Sequence, residues 1–237
     1  MKITYWSDYA CPYCYIGETH LKQALEALGA AQSVEVEMKA FELNPYASKD
    51  YTGTTVARFA TKYGLTKAMA AKRIQQIDET GRQAGLDFNY GQTRYTSTFD
   101  AHRLTKLARG KPDRTLADRL SERLYRAYFT ENLELADPEV LVRIAVSEGL
   151  DETEVRAMLA SDDYADDVRQ DEKQAQEYGI HGVPYFVLAE KYTIPGAMPV
   201  EQMKPILAEL LEEEKLVKEK MQGTYCTPEG CFIGGHK

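Results

Sequence analysis

Ser7-Asp8-Tyr9-Ala10-Cys11-Pro12-Tyr13-Cys14 is the stretch on which the reading of this chain turns. The apolar, β-favouring Ile3, Tyr5 and Trp6 come just before it, and Ile16, Leu21, Leu25 and Leu28 follow at helical spacing. The stretch therefore sits where a strand turns into a helix. Cys11 falls at the helix start, where backbone N–H groups lack intrahelical partners and the helix dipole is positive. Both features favour a thiolate. Pro12 suits the first helical position, because the N–H it lacks would have had no partner there. Cys14 lies one turn on, on the same face, within reach of a disulfide with Cys11. An exposed attacking sulfur beside a more sheltered resolving one is what thiol–disulfide exchange requires. The same spacing is also half of a zinc site, or two buried cysteines by coincidence. No Cys/His-rich cluster surrounds this pair or the second one, Cys226 and Cys231.

Outward from the stretch, 34–43 alternates apolar and polar residues and reads as a half-buried strand ended by Asn44-Pro45. The opening is thus strand, helix, strand, a βαβ unit with a parallel pair. From 49 to 178 the signal is helical. Thr66 is placed to cap a helix, and Asp137-Pro138 is an N-cap followed by proline at the first helical position. Asp151-Glu152-Thr153-Glu154 resembles a capping box. One long helix is expected over 112–129, and a polar, aromatic loop over 88–98. Strand character returns at 184–190 and 192–197 as a hairpin, followed by a charged amphipathic helix over 200–221 containing Pro205. This order predicts an α/β chain, a thioredoxin-like fold with an inserted all-helical subdomain. The expected division is a discontinuous sheet domain over 1–48 and 176–221, a helical insertion over 49–175, and a tail over 222–237 that holds the second cysteine pair.

The composition narrows the function. With 43% hydrophobic residues in 237, a proper core is available and disorder is not the expectation. The formal net charge of −8 speaks against a general binder of nucleic acid or anionic membrane. Met1 runs straight into the first strand, with no apolar leader and no run of membrane-spanning length. A soluble, cytoplasmic protein is expected. In a reducing compartment a cycling disulfide is favoured over a purely structural one.

Four stretches resemble one family, in the family's order and across most of the chain: 8–17 (Asp-Tyr-Ala-Cys-Pro-Tyr-Cys-Tyr-Ile-Gly), 41–45 (Phe-Glu-Leu-Asn-Pro), 99–104 (Phe-Asp-Ala-His-Arg-Leu) and 179–186 (Gly-Ile-His-Gly-Val-Pro-Tyr-Phe). The chain is similar to the DsbA-like thioredoxin-fold oxidoreductases, and among them to the FrnE-like branch. Near the hairpin end the family's Ser-Gly-Ala-Gln reads Pro195-Gly196-Ala197-Met198 here. The resemblance implies disulfide exchange on a thioredoxin fold. It also implies that Val183-Pro184 is a cis-proline loop facing the cysteines, with Val183 free to pair with an extended substrate.

The expected roles follow. Cys11 is the nucleophile and Cys14 resolves the mixed disulfide. Pro12, Tyr13, Val183, Pro184 and His181 tune the site, and His102 is expected to be a satisfied structural histidine, with orientation of the helical insertion as the alternative. Trp6, Tyr9, Tyr15 and Tyr46 form a candidate apolar rim for the substrate. Cys226 and Cys231 are a candidate auxiliary redox pair, a passive disulfide or, with Cys11 and Cys14, metal ligands; adjacency favours pairing within each couple. Protein or small-molecule thiols and disulfides are the expected substrates, with no organic cofactor and no metal, because the cysteines themselves hold the electrons. Three rivals remain: a glutathione-dependent isomerase or transferase on the same fold, a zinc-stabilised chaperone or binding module, and an accessory protein in secondary-metabolite synthesis, which the family resemblance suggests but for which the sequence carries no signature.

Overall fold

Lys2–Ser7 is the first strand, β1, and the apolar run after Cys11 is the first helix, α1, Pro12–Ala27. Pro12 stands at the start of α1 as its fixed φ favours. Glu35–Ala40 is β2 and pairs with β1 in parallel, from Lys2 opposite Glu35 to Ser7 opposite Ala40. Parallel neighbours need a crossover, which α1 supplies. A computed structural model describes the backbone of residues 1–222, 225–227 and 230–232 and the side chains of residues 1–217.

Between β2 and the next strand of the sheet the chain is helical. The elements are α2 (Thr55–Tyr63), α3 (Lys67–Gln83), α4 (Phe99–Arg109), α5 (Leu116–Phe129), α6 (Pro138–Ser147), α7 (Glu152–Leu159) and α8 (Ala165–Glu177). The expected caps are in place. Thr66 accepts from the Met69 N–H, Asp137 from Glu139 and Asp151 from Glu154. α5 starts later than the periodicity predicts. Asp113 accepts from both the N–H and the hydroxyl of Thr115, and this local turn holds 112–115 out of the helix. The aromatic loop contains a short 3-10 turn at Tyr90–Gln92.

β3 (Tyr185–Leu188) lies antiparallel to β1, with Tyr5 opposite Phe186, and β4 (Tyr192–Pro195) closes the hairpin. The sheet order is β2-β1-β3-β4. α9 (Val200–Gln222) follows, with Pro205 inside it. The architecture is a thioredoxin-like α/β fold with an additional helical subdomain.

Alternation along the strands sets the layers. Ile3, Tyr5, Phe186 and Leu188 turn to the main core, where Leu21 and Leu25 of α1 and Met203 and Leu207 of α9 are buried. Trp6 turns the other way, onto Ala175 and Ile180, and donates its indole N–H to the Asp171 carbonyl. An aromatic seam joins the sheet to the helices. Tyr15 stacks on Tyr125 at 4.9 Å, and Phe88 on Phe129 at 4.8 Å. The Tyr125 hydroxyl meets Ser7 Oγ at 2.6 Å. Offset aromatic pairs of this kind contribute roughly 0.5–1.5 kcal/mol each beyond the area they bury. The sheet and the helical block therefore share one continuous core.

Beyond α9, β5 (Tyr225–Thr227) and β6 (Gly230–Phe232) form a small antiparallel ladder with Cys226 opposite Cys231. The side chains of this second cysteine pair lie outside the described residues.

Candidate active site

Cys11 is the N-cap residue of α1, with extended backbone (φ −95°, ψ 113°). Pro12 has no N–H to give, and the Tyr13 N–H is one of the donors that a helix start leaves without an intrahelical partner. The Cys11 thiol donates to the Val183 carbonyl across 3.5 Å. Val183-Pro184 is cis, as the resemblance implies. Gly17 permits this approach of loop to helix. A Cβ there would lie 3.0 Å from Pro184 Cγ and 3.3 Å from both Ala197 Cα and the Phe186 ring. On the far side, the Gly196 N–H donates to the Pro184 carbonyl at 2.8 Å.

The expected exposed sulfur is largely covered: Cys11 is 5% exposed and Cys14 fully buried. The Val183 carbonyl stands against the thiol, and residues of α2 and α3 line the cleft in front of it. Cys11 still opens onto a cleft of about 520 Å³ shared with Pro12, Tyr13, Val183 and residues of α2 and α3. Cys14 does not line it. Burial pushes the Cys14 thiol well up, and the hydrogen bond and charge of Cys11 push it further, against smaller opposing effects from Ser7 and the Asp8 backbone. The two sulfurs are thus unlike: one at the floor of a cleft, the other held neutral behind it.

The raised Cys14 thiol has a consequence for stability. An ordinary thiol ionises near about 8.5. A thiol kept protonated by the fold but free to ionise in the unfolded chain favours unfolding as pH rises through that range. Its stabilising contribution is complete below about pH 8 and declines by up to about 1.4 kcal/mol per pH unit above it. Reduced protein is therefore expected to lose stability between about pH 8 and 10 faster than reduced Cys14→Ser protein, measured by denaturant unfolding. Parallel pH profiles for the two would refute this account of Cys14.

Asp8, three residues before Cys11, carries no local sequence signal for its role. It is buried and holds three separate parts of the molecule. Its Oδ1 accepts from the Ala10 N–H (3.0 Å) and from Thr98 Oγ1 (2.9 Å), and its Oδ2 from the Leu43 N–H (2.7 Å). Its carbonyl accepts from the Cys11 N–H at 3.0 Å. His102 Nε2 stands 3.8 Å from Oδ1, and the ring packs on Tyr9. That nitrogen is buried and makes no hydrogen bond among the described residues.

The aromatic rim has to be corrected. Trp6, Tyr9 and Tyr15 are core residues, and Tyr46 stands 94% exposed and does not line the cleft. The Tyr9 hydroxyl pairs with Thr105 Oγ1 at 2.6 Å, and Tyr15 belongs to the aromatic seam. The physical reason is the helical block, whose apolar side needs aromatic partners and takes them from the sheet part. The cleft's aromatics are instead Tyr13, Phe59, Tyr63, Tyr90 and Tyr95, all but the first from the helical block. Phe59 and Tyr63, one turn apart on α2 with rings 4.5 Å from each other, are the sequence signal for them. His181 is exposed and does not line the cleft. Among the described residues no group of three or more His, Cys, Asp or Glu side chains is arranged to hold a metal.

Residues 2–208 match the DSBA-like thioredoxin domain family. The chain belongs to this family. With its Cys-x-x-Cys pair at the start of α1, this DSBA-like protein is a thiol–disulfide oxidoreductase acting on protein or small-molecule thiols and disulfides. The crystal structure of a probable DsbA oxidoreductase from Streptomyces coelicolor is 35% identical, covers 99% of this chain and 100% of its own, and superposes with a TM-score of 0.82. The protein YwbO of Bacillus subtilis is 28% identical over 202 residues, covering 83% of this chain and 90% of its own. The DSBA-like fold extends to the cytosolic disulfide reductase DsbM of Pseudomonas aeruginosa, determined with GSH. That chain is 17% identical, with a TM-score of 0.62 over 90% of this chain and 100% of its own.

Proposed function

We propose that Cys11 attacks a substrate disulfide and that Cys14 resolves the resulting mixed disulfide. The observation that carries this is the asymmetry of the pair. Cys11 faces the cleft, whereas Cys14 is buried with its thiol pushed up. A protonated Cys14 cannot compete for the first attack. It becomes the nucleophile only once Cys11 is bound and Cys14's proton leaves. Pro12, Tyr13, Val183 and Pro184 shape the site around Cys11. The Val183 carbonyl, already bonded to the thiol, lies on the edge that an extended substrate would meet.

The finer placement in the FrnE-like branch is supported by the four sequence stretches. A cytoplasmic setting and turnover with small thiols are supported by DsbM, which is described as cytosolic and was determined with GSH. The second pair, Cys226 and Cys231, is proposed as an auxiliary redox couple; the register that sets the two residues opposite each other supports that reading.

The test is a trap. Cys14→Ser protein exposed to a small disulfide is expected to accumulate one mixed disulfide, mapped to Cys11 by peptide mass spectrometry. Absence of a mixed disulfide on Cys11 contradicts the assignment.

A further inference from the structure

The cleft in front of Cys11 carries a charge pattern that sulfur exchange alone does not require. Arg58 and Lys62 of α2 and Arg73 of α3 line it, and no Asp or Glu does. Among the described residues none of the three has a carboxylate within ion-pair distance, while Arg103, Arg109, Arg119, Arg156 and Arg169 each have one. Arg58 is half-buried, with its guanidinium lying 3.9 Å over the Tyr95 ring, which fixes its plane on the wall. Lys62 and Arg73 are exposed at the edge. In a chain of net charge −8, three cations without counter-charges around the reactive sulfur form a local field of opposite sign.

We propose that this cleft selects small, carboxylate-bearing disulfides and thiols, with Arg58, Lys62 and Arg73 holding the carboxylates while the substrate sulfur reaches Cys11. The proposal rests on the exchange reading of Cys11 and Cys14 and deepens it. The size supports a small molecule: about 520 Å³ lies within the roughly 300–1,000 Å³ typical of small-ligand sites. Net charge supports it too. An acidic polypeptide would lie against the rest of a negative surface, whereas a compact anion within about a Debye length meets the three cations first.

The chemistry balances. The Cys11 thiolate attacks one sulfur of RS–SR; the S–S bond breaks, and RS⁻ leaves with the electron pair and takes a proton from solvent. Cys14 loses its proton and attacks Cys11 Sγ, so the second RS⁻ leaves and is protonated. The enzyme dithiol has become a disulfide, and RS–SR has become two RSH.

The experiment is single-turnover oxidation of the fully reduced protein, quenched by alkylation and read by mass spectrometry. Four disulfides are compared: 3,3′-dithiodipropionate and glutathione disulfide (anionic), hydroxyethyl disulfide (neutral) and cystamine (cationic). The wild type is expected to react in that order of charge, anionic fastest, at low ionic strength. In Arg58→Gln/Lys62→Gln/Arg73→Gln the anionic-to-neutral rate ratio is expected to fall by about tenfold, and added salt should compress the wild-type ratio in the same direction. Lys62→Gln/Arg73→Gln, which changes only exposed side chains, is expected to fall part of the way. An anionic-to-neutral ratio equal in wild type and variants overturns the proposal. So does a preference for glutathione disulfide alone that persists in the triple variant, since the cleft would then be reading the peptide. Reaction with all four disulfides without charge order removes only this inference; reaction with none removes the exchange reading as well.

Discussion

Cys11→Ser protein is expected to lose disulfide exchange entirely, in insulin reduction and with small disulfides alike. A serine hydroxyl stays protonated and cannot form the S–S bond on which the mixed disulfide depends. Cys14 does not substitute for it: it is fully buried, and its thiol is pushed up by that burial. The rate should fall to the background set by free thiols, a loss on the order of a thousandfold or more. The fold should be intact, because the exchange is nearly isosteric and the side-chain hydrogen bonds at risk, to the Val183 carbonyl and to the Cys14 thiol, are ones a hydroxyl also makes. Circular dichroism and a thermal midpoint close to wild type would confirm that chemistry, not structure, was removed. Appreciable exchange by this variant would mean that another cysteine does the work.

Asp8→Ala is expected to give the largest loss of stability. The carboxylate serves two backbone N–H groups and the Thr98 hydroxyl in a buried setting, with His102 Nε2 nearby. A hydrogen bond to a charged group is worth roughly 1.5–3 kcal/mol, and each buried donor left without a partner adds a desolvation cost. Since these bonds share one carboxylate and are not additive, the total expected is about 3–5 kcal/mol. For a chain of this size that lowers the thermal midpoint on the order of 10 °C. Asp8→Asn keeps the shape and one acceptor oxygen, so it should fall between wild type and alanine. Because the bonds join the Cys11 loop to the end of β2 and the start of α4, exchange activity should decline as well, even at temperatures where the variant is folded. A thermal midpoint within two or three degrees of wild type for Asp8→Ala would show that the loop is held by other means.

Much of this architecture is legible in the chain itself. The order of strands and helices, the proline at the start of α1 and the caps at Thr66, Asp137 and Asp151 all follow from local chemistry that acts within a few residues. What could not be read was which aromatic residues meet across the fold. Tyr9 and Tyr15 flank the cysteines in sequence, yet they face a helical block more than eighty residues away, through Tyr125 and Thr105. Proximity in sequence points to a rim; packing between distant segments makes them core. The converse holds for Arg58, Lys62 and Arg73. Nothing in their helices distinguishes them from solvated surface charges until α2 and α3 are laid over the start of α1. Asp8 lies in the Cys-x-x-Cys stretch, but its bonds to Leu43 and Thr98 are tertiary and leave no local mark.

The cleft has two authors. Its floor, with Cys11 and Val183, belongs to the sheet and its loops, whereas its outer wall is drawn from α2 and α3. Electron transfer and substrate choice are thereby lodged in separate parts of one polypeptide. A lineage that redecorates those outer helices can change its clientele from one thiol to another, while the sulfur chemistry beneath is inherited untouched.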